Sequence, residues 1–149
     1  MREAVFNALT SMDALQGASV LDLYAGSGAL GIEALSRGAA RCTFVERARP
    51  ALASLRRNLD STGLASRAEV VPVDAESFLR TTRQHFDLAL LDPPYAFDGW
   101  PNLLATLPAD LAVIESDREI AQVTGWDVLR SRRYGATVVT FARRAASSE

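Results

Sequence analysis

A glycine-rich segment near the start of the chain has the spacing of a nucleotide-binding turn. Gly26, Gly28 and Gly31 form the pattern G-x-G-x-x-G directly after the apolar run Ala18–Leu23. Glycine lets the backbone turn sharply and leaves peptide groups bare for a ligand. Glu46 follows Gly26 by 20 residues, where a carboxylate can accept hydrogen bonds from two ribose hydroxyls. The spacing predicts a site for a nucleotide or nucleoside cofactor rather than a plain tight turn.

Two classes of cofactor share this geometry, and the residue at the end of the preceding strand distinguishes them. Dinucleotides place a pyrophosphate at the helix N-terminus. S-adenosylmethionine brings a positively charged sulfonium and an ammonium group instead. Asp22 favours S-adenosylmethionine, with S-adenosylhomocysteine as its product, because a carboxylate there repels a pyrophosphate and attracts a cation.

A second segment with chemical potential, Asp92-Pro93-Pro94-Tyr95, ends the apolar run Phe86–Leu91. Two successive prolines lack N–H donors and fix φ, so they predict a stiff ledge where the chain leaves the sheet. The ledge presents a carboxylate and unpaired carbonyls, and both kinds of acceptor suit an amine with two hydrogens. The Tyr95 ring can stack on a planar base or amide.

This arrangement predicts methyl transfer to a planar exocyclic amine. Such an amine is a poor nucleophile because its lone pair is delocalised into the ring. Two acceptors on its hydrogens favour a pyramidal nitrogen, which can attack the sulfonium methyl in line. Positioning and charge placement then carry the reaction, without a covalent enzyme intermediate or a metal. The residues that follow, Phe97, Trp100 and Asn102, either wall the base pocket or cap the next helix and fill the core.

Asp74 ends the third predicted strand and precedes a predicted helix. Aspartate is a favoured helix N-cap. The same position lies at the carboxyl edge of an open sheet, beside the adenine end of a ligand bound there. We expect Asp74 to cap the helix and to accept a hydrogen bond from the adenine amino group, since the two roles are compatible.

The residues above follow predicted strands, in a chain where short apolar runs alternate with amphipathic stretches. Strands alternating with helices predict a doubly wound, mostly parallel α/β sheet. The residues on either side of Gly135 predict an antiparallel hairpin at the edge of that sheet. The predicted strands are Ala18–Leu23, Arg41–Glu46, Ala68–Val73, Phe86–Leu91, Ala109–Glu115, Asp127–Tyr134 and Ala136–Arg143. The predicted helices are Met1–Leu15, the segment from the glycines to about Arg37, Pro50–Ser61 and Ala75–Arg83.

The composition indicates one domain with an ordinary core. The 149 residues are 48% hydrophobic and 23% charged, and no uncharged stretch is long enough to span a bilayer. The single cysteine, Cys42, excludes an internal disulfide framework and a zinc site built on several thiolates, and we predict no metal. We expect a cytoplasmic monomer, with Cys42 in the core, Trp126 buried and His85 at the amino end of the sheet, away from the site.

All 16 basic residues are arginine, and the net charge is −2. The overall charge therefore does not by itself indicate nucleic-acid binding. Five arginines nevertheless form a basic C-terminal stretch: Arg130, Arg132, Arg133, Arg143 and Arg144. These side chains either contact phosphates through their guanidinium forks or belong to a solvated hairpin.

Four segments together resemble the RsmD family of bacterial ribosomal RNA guanine-N2 methyltransferases, within the class I S-adenosylmethionine-dependent amino-methyltransferases. They are Arg2–Asn7, Val20–Gly38, Asp92–Tyr95 and Tyr134–Arg144. The resemblance covers nearly all of the chain. It implies a seven-stranded Rossmann-like class I methyltransferase sheet with the cofactor over the glycine loop. It also implies small-subunit ribosomal RNA as the substrate, within an assembled or assembling subunit.

The resemblance also implies roles for individual residues. Asp22, Gly26 and Gly28 would line the methionine end, Glu46 the ribose, and Asp74 with Ala75 the adenine. The full set of expected cofactor-binding residues is Asp22, Tyr24, Ala25, Gly26, Ser27, Gly28, Glu46, Arg47, Asp74 and Ala75. The expected catalytic residues are Asp92, Pro93, Pro94 and Tyr95.

The chain departs from the family at its start. Family members usually carry an extension with a basic hairpin before the segment that matches Arg2–Asn7. We therefore expect a single methyltransferase domain over residues 1–149 that lacks this RNA-gripping segment.

Two other methyl acceptors stay open, namely adenine in DNA or RNA and a protein glutamine amide. Glutamine enzymes usually resemble Asn-Pro-Pro-Tyr, so Asp92 favours a base. A non-catalytic nucleotide- or RNA-binding module is a third reading, disfavoured by the intact glycine loop, Glu46 and Asp92.

Overall fold

The computed structural model of the chain describes residues 1–94, 97–120 and 123–146. The strands in these ranges are β1 (Ser19–Asp22), β2 (Arg41–Val45), β3 (Ala68–Val71), β4 (Phe86–Leu91), β5 (Ala109–Ser116), β6 (Trp126–Tyr134) and β7 (Thr137–Arg144). The α-helices are α1 (Arg2–Ser11), α2 (Ala29–Ser36), α3 (Arg49–Thr62), α4 (Ala75–Thr81) and α5 (Trp100–Thr106). None of these helices is long and apolar enough to cross a membrane.

The strands form one sheet in the order β3-β2-β1-β4-β5-β7-β6. Strands β1 to β5 are mutually parallel, whereas β7 runs antiparallel to both β5 and β6. The predicted fold class, a mostly parallel seven-stranded α/β sheet with a C-terminal antiparallel hairpin, is therefore confirmed. The strand order reverses direction between β1 and β4, which opens a crevice at their carboxyl ends.

Two hydrophobic clusters cover the two faces of the sheet, as a doubly wound fold requires. One cluster packs α1, α2 and α3 against the sheet, and the other packs α4 and α5. Strand β4 lies at the centre, where its apolar residues are at most 3% exposed. Its side chains alternate between the clusters, with Leu88 and Leu90 on one face and Ala89 and Leu91 on the other.

Several predicted elements end earlier than the sequence pattern suggests. Helix α1 stops at Ser11 instead of Leu15, because Asp13 adopts a left-handed backbone with φ of 56°. Strand β3 stops at Val71, since Pro72 has no N–H to donate to a ladder. The sequence pattern of α1 predicts an apolar face of Val5, Ala8, Leu9 and Met12. The structure adds Phe6, which is fully buried.

The turn from β1 to α2 is held by one buried hydrogen bond. The Asp22 carboxylate, 1% exposed, accepts the Gly31 backbone N–H with an Oδ2–N distance of 3.0 Å. Burial raises the pKa of Asp22 to about 7, the Gly31 N–H opposes that rise, and the carboxylates of Asp92, Glu115 and Glu46 add to it. The bond fixes the start of α2 relative to the end of β1.

Gly31 also sets how closely α2 approaches the sheet. A Cβ built on Gly31 would lie 2.3 Å from the Phe44 ring and 2.7 Å from the Cys42 sulfur, both on β2.

We predict that Gly31→Ala lowers the free energy of unfolding by about 1–3 kcal/mol, because overpacking outweighs the gain in helix propensity. Urea unfolding measures this, with the exposed Ser36→Ala of the same helix as control. Adding Phe44→Leu should relieve part of the loss, and strict additivity would refute the steric explanation.

The raised pKa of Asp22 predicts a pH dependence of stability. The folded protein retains a proton that the unfolded chain releases, so the Asp22 contribution to stability is present at low pH and is lost as pH rises to about 7. Asp22→Asn keeps an acceptor for the Gly31 N–H without the ionisation. We expect the stability of wild type relative to Asp22→Asn to fall between about pH 4 and pH 7. Parallel urea-derived pH profiles would contradict this assignment.

Candidate active site

Two cavities open at the carboxyl edge of the sheet, where the strand order reverses. The larger, which we call the β1–β3 cavity, has a volume of about 720 Å³ and lies over the ends of β1, β2 and β3. The smaller, the β4–β5 cavity, has a volume of about 430 Å³ and lies between the ends of β4 and β5 and the start of β7. Both cavities share the segment Asp92–Pro94, so this ledge stands between them.

The glycine turn forms one wall of the β1–β3 cavity. The turn begins where Ala25 N–H donates to the Val45 carbonyl at 3.0 Å, and Gly28 N–H closes it on the Ala25 carbonyl at 2.8 Å. Gly26 has φ of 57°, and, apart from its own chain neighbours, no atom of the described residues lies within 4 Å of where its Cβ would be. The backbone at Gly26 is therefore bare, as a ligand lying against the turn requires.

Glu46 ties this turn to the end of β2. Its Oε1 accepts the Gly26 N–H at 2.8 Å, while its Oε2 accepts the N–H groups of Arg47 at 3.1 Å and Ala48 at 3.0 Å. Each carboxylate oxygen has two acceptor positions, so Oε1 retains one for a hydroxyl in the cavity. Sequence reasoning predicted a ligand contact for Glu46 but did not predict this backbone role.

Asp74 is the N-cap of α4, as predicted. Its carboxylate accepts the Ser77 N–H at 3.1 Å and the Ser77 hydroxyl at 2.7 Å. The hydrogen bonds from the Ser77 hydroxyl and N–H hold the pKa of Asp74 below its ordinary value. Asp74 also lines the β1–β3 cavity, and its contact with an adenine amino group remains a prediction.

The ledge after β4 combines one free carbonyl with a partly desolvated carboxylate. The Pro94 carbonyl accepts the Phe97 N–H at 3.2 Å, but no described residue donates to the Pro93 carbonyl. Asp92 is exposed at the mouth of both cavities, yet its surroundings exclude enough water to raise its pKa. Among the described residues, the Pro94 carbonyl has a donor and the Pro93 carbonyl has none, and Tyr95 lies outside these residues.

The structure brings most of the predicted cofactor residues together. Those that line the β1–β3 cavity are Tyr24, Ala25, Gly26, Ser27, Glu46, Arg47, Asp74 and Ala75. Asp22 and Gly28 do not line it. The Asp22 carboxylate is turned under α2 toward Gly31, and a Cβ on Gly28 would lie 2.3 Å from the Leu55 side chain of α3. Contacts of these two residues with a cofactor remain predictions, because packing occupies both.

The charge of the β1–β3 cavity favours a cationic ligand. Four carboxylates line it, from Glu46, Asp74, Glu76 and Asp92, against a single guanidinium from Arg47. An acidic lining repels a pyrophosphate and attracts a sulfonium or an ammonium group. The described residues contain no group of three side chains placed to hold a metal ion.

The sequence pattern predicted strand β5 but did not indicate that its end contributes to the site. This end forms the far wall of the β4–β5 cavity. Glu115, Ser116 and Asp117 line this wall. Burial and the nearby Asp92 carboxylate raise the pKa of Glu115 to about 7, and the chain's amino terminus acts against that rise. The signal was available, because parallel strands that end together carry their final residues to the same edge.

The aromatic residues after the ledge divide between the cavity wall and the core. Phe97 lines the β4–β5 cavity and packs edge-to-face on Trp100, with ring centroids 4.9 Å apart. Trp100 is 5% exposed and packs in the core under α5, where it also lines the inner wall of the β4–β5 cavity. Asn102 lines neither cavity. The N-cap of α5 is Gly99, so none of the three residues caps this helix.

The remaining predictions for single residues agree with the structure. Cys42 and Trp126 are buried in the core, and the Trp126 indole N–H donates to the Leu104 carbonyl at 3.0 Å. His85 precedes β4 at the amino end of the sheet, where its Nε2 lies 2.7 Å from the Asp110 carboxylate. This pair is remote from both cavities.

The C-terminal arginines have two different environments. Arg144 stacks over the Trp126 ring at 4.7 Å and donates to the carbonyls of Ala109 and Leu107, so its guanidinium supports the fold. Arg132 and Arg133 are exposed near the hairpin tip. Their register across β7 places them in line with the end of β5, beside the β4–β5 cavity. Among the five C-terminal arginines, these two combine exposure with a position in line with the end of β5.

Comparison with known proteins agrees with this architecture. The family model described as "Conserved hypothetical protein 95" matches residues 1–143. The ribosomal RNA small subunit methyltransferase D of Escherichia coli is 34% identical, over 100% of this chain and 79% of its own length. A conserved hypothetical protein from Streptococcus pyogenes superposes with a TM-score of 0.88 at 30% identity, over 97% of this chain and 96% of that chain.

A more distant structure shares the fold alone. The magnesium protoporphyrin IX methyltransferase from Synechocystis, solved with bound S-adenosylmethionine, superposes with a TM-score of 0.76 at 14% identity, over 97% of this chain and 78% of that chain. The family match and the identity to the Escherichia coli enzyme both extend over nearly the whole chain. The chain therefore belongs to the Conserved hypothetical protein 95 family, the RsmD methyltransferase family that its sequence motifs resemble.

Proposed function

We propose that the protein transfers a methyl group from S-adenosylmethionine to the exocyclic amine N2 of a guanine in small-subunit ribosomal RNA. The observation that carries the proposal is that two cavities meet at Asp92–Pro94. A methyl donor in the β1–β3 cavity and a base in the β4–β5 cavity would face each other across this ledge. Small-subunit ribosomal RNA is inferred from the name of the Escherichia coli relative, and guanine N2 from the family that the sequence motifs resemble.

The β1–β3 cavity fits S-adenosylmethionine better than a dinucleotide. Its volume of about 720 Å³ is within the range of cofactor sites. The bare backbone at Gly26 and the spare acceptor position of Glu46 suit a nucleoside, and the acidic lining suits a cation. When bound, S-adenosylmethionine supplies a methyl group on a positively charged sulfur, which departs as the neutral thioether S-adenosylhomocysteine.

Asp92 and the Pro93 carbonyl are the acceptors for the two amine hydrogens. Holding both hydrogens directs the nitrogen lone pair toward the β1–β3 cavity, so that the N–C bond forms as the S–C bond breaks. The methylated nitrogen then releases a proton. The raised pKa of Asp92 makes its carboxylate a better acceptor for that proton than an ordinary aspartate.

Exposed arginines beside the β4–β5 cavity support RNA as the carrier of the base. Arg132 and Arg133 lie at the same edge as the cavity, where guanidinium groups can contact phosphates that flank the target nucleotide. Single-stranded or splayed nucleotides are the RNA elements whose bases can enter such a pocket, with the Phe97 ring available to contact the base.

The test uses labelled S-adenosylmethionine with small ribosomal subunits that lack the modification, and with total ribosomal RNA. Digestion to nucleosides should recover the label as N2-methylguanosine, and mapping identifies the position. Calorimetry should show binding of S-adenosylmethionine and none of NAD. Recovery of the label as N6-methyladenosine, or tight NAD binding without a response to S-adenosylmethionine, would refute the proposal.

Asp92→Ala should abolish most methyl transfer while leaving cofactor affinity much less affected. The loss of a preorganised acceptor at the reacting amine should lower the single-turnover rate by ~10²–10³. Asp92→Asn should retain more activity than Asp92→Ala, because its amide oxygen keeps one acceptor of similar size. Transfer near the wild-type rate in Asp92→Ala would mean that the ledge is only a turn.

Glu46→Gln should weaken S-adenosylmethionine binding by about tenfold or more. The glutamine amide can accept hydrogen bonds only through its oxygen. It therefore loses either the bond from the Gly26 N–H or the two bonds from the Arg47 and Ala48 N–H groups. Charge-assisted hydrogen bonds of this kind are worth ~1.5–3 kcal/mol each. Calorimetric affinities measure the effect. The control is Glu69→Gln, the same change at an exposed position of β3. Equal affinities for the two variants would remove Glu46 from the cofactor site.

A further inference from the structure

A second carboxylate lies beside Asp92 in the β4–β5 cavity. Leu91 of β4 pairs with Ile114 of β5, so the residues that follow them, Asp92 and Glu115, occupy neighbouring positions on adjacent parallel strands. Such strands lie about 4.8 Å apart. Both side chains line the same cavity, and the Asp92 carboxylate acts on the ionisation of Glu115. Two acidic acceptors therefore stand side by side where the amine of the base is expected.

The function proposed above uses Asp92 and leaves Glu115 without a role. Glu115 is partly buried, yet no residue of the described ranges donates a hydrogen bond to its carboxylate or forms an ion pair with it. Its neighbours are engaged, since the Ser116 hydroxyl donates to the Arg118 carbonyl and Asp117 pairs with Arg118 at 2.9 Å. The charge of the chain's amino terminus acts on Glu115 but supplies no hydrogen bond to it. Because a partly buried carboxylate without a donor is costly, we infer that a donor on the ligand completes it.

The same wall holds a second unsatisfied polar group. The indole N–H of Trp100 is buried and has no acceptor among the described residues, and Trp100 lines the β4–β5 cavity. Buried polar groups in folded proteins are normally paired. The indole N–H itself is covered, so the inference of a polar ligand in this cavity rests on Glu115.

Guanine and adenine differ in what they present next to the exocyclic amine. On the Watson–Crick edge of guanine, the N2 amine is adjacent to N1–H, so two kinds of donor stand side by side. On the corresponding edge of adenine, the N6 amine is adjacent to N1, which is an acceptor. Above the Glu115 pKa of about 7 both carboxyl groups are ionised. Adjacent carboxylates then match the guanine edge and repel the adenine edge, because an ionised carboxyl group can only accept.

We propose that Glu115 is the residue that selects guanine, by accepting the N1–H of the base whose N2 amine Asp92 holds. This inference rests on the proposed function and names the group that determines its specificity. Asp92 would not distinguish guanine from adenine, since both bases carry an amine. The discrimination would come from Glu115 on β5.

The test compares guanine with 2-aminopurine at the modified position, in small subunits reconstituted with RNA that carries either base. 2-Aminopurine keeps the 2-amine but has an unprotonated N1 and no O6. Wild type should methylate guanine at least about tenfold faster under single turnover, since a charge-assisted hydrogen bond corresponds to a factor of this size or larger. Glu115→Gln should be about tenfold or more slower on guanine and should lose or invert the preference, because its amide can donate to the unprotonated N1.

The missing O6 of 2-aminopurine affects wild type and Glu115→Gln alike. The informative quantity is therefore the guanine-to-2-aminopurine rate ratio of wild type divided by that of the variant. Asp110→Asn, the same acid-to-amide change at the opposite end of the sheet, should keep the wild-type preference. Urea unfolding and S-adenosylmethionine affinity of Glu115→Gln establish that the variant is folded. Glu115→Asp, which keeps the charge with a shorter reach, is the second variant and should slow guanine transfer without favouring 2-aminopurine.

The outcomes separate the two proposals. If wild type forms N2-methylguanosine and both Glu115 variants keep its preference, the role of Glu115 is refuted and the proposed function stands. If wild type forms no N2-methylguanosine on unmodified subunits, the proposed function fails and the role of Glu115 fails with it. A smaller guanine preference in Glu115→Gln alone, with Asp110→Asn unchanged, supports the assignment.

Discussion

The close contact between α2 and the sheet at Gly31 is the constraint on which the site depends. No side chain fits between Gly31 and the Phe44 and Cys42 side chains, and the buried Asp22 carboxylate accepts the Gly31 N–H at that point. Together these features fix where α2 begins. The glycine turn that precedes α2 is therefore held open against Glu46, which binds it from the end of β2. A cofactor meets a backbone that is already ordered.

A consequence of this design is a concentration of carboxylates at one edge of the sheet. Burial raises the pKa of Asp22 and of Glu115 to about 7, and nearby carboxylates, Asp92 among them, add to both rises. Like charges at short range destabilise the folded protein by themselves. The two hydrophobic clusters on the faces of the sheet offset this cost. A cationic cofactor and the donor groups of a base would reduce it further when they bind.

The ledge after β4 gives the two cavities their separate roles. Prolines have no backbone N–H to donate, so this stretch cannot continue the ladder of β4 and leaves the sheet. The Pro94 carbonyl accepts the Phe97 N–H, and the Pro93 carbonyl beside Asp92 has no donor among the described residues. The antiparallel β7 next to β5 closes the far side and brings the hairpin arginines to the same edge. The β4–β5 cavity is thus built from elements far apart in sequence.

Local patterns in the sequence determined the element types, the parallel sheet with its terminal hairpin, the glycine turn and the cap at Asp74. These features depend on neighbouring residues, whose spacing and backbone preferences can be read directly. The direction of a buried side chain depends on what packs around it, so only the tertiary structure turned Asp22 and Gly28 away from the cavity and gave Glu46 its backbone partners. The same holds for Arg144, which sequence grouped with the phosphate-binding candidates and the structure stacks on Trp126. Glu115 reaches Asp92 only through the register of β4 with β5, a pairing between distant segments that no local pattern encodes.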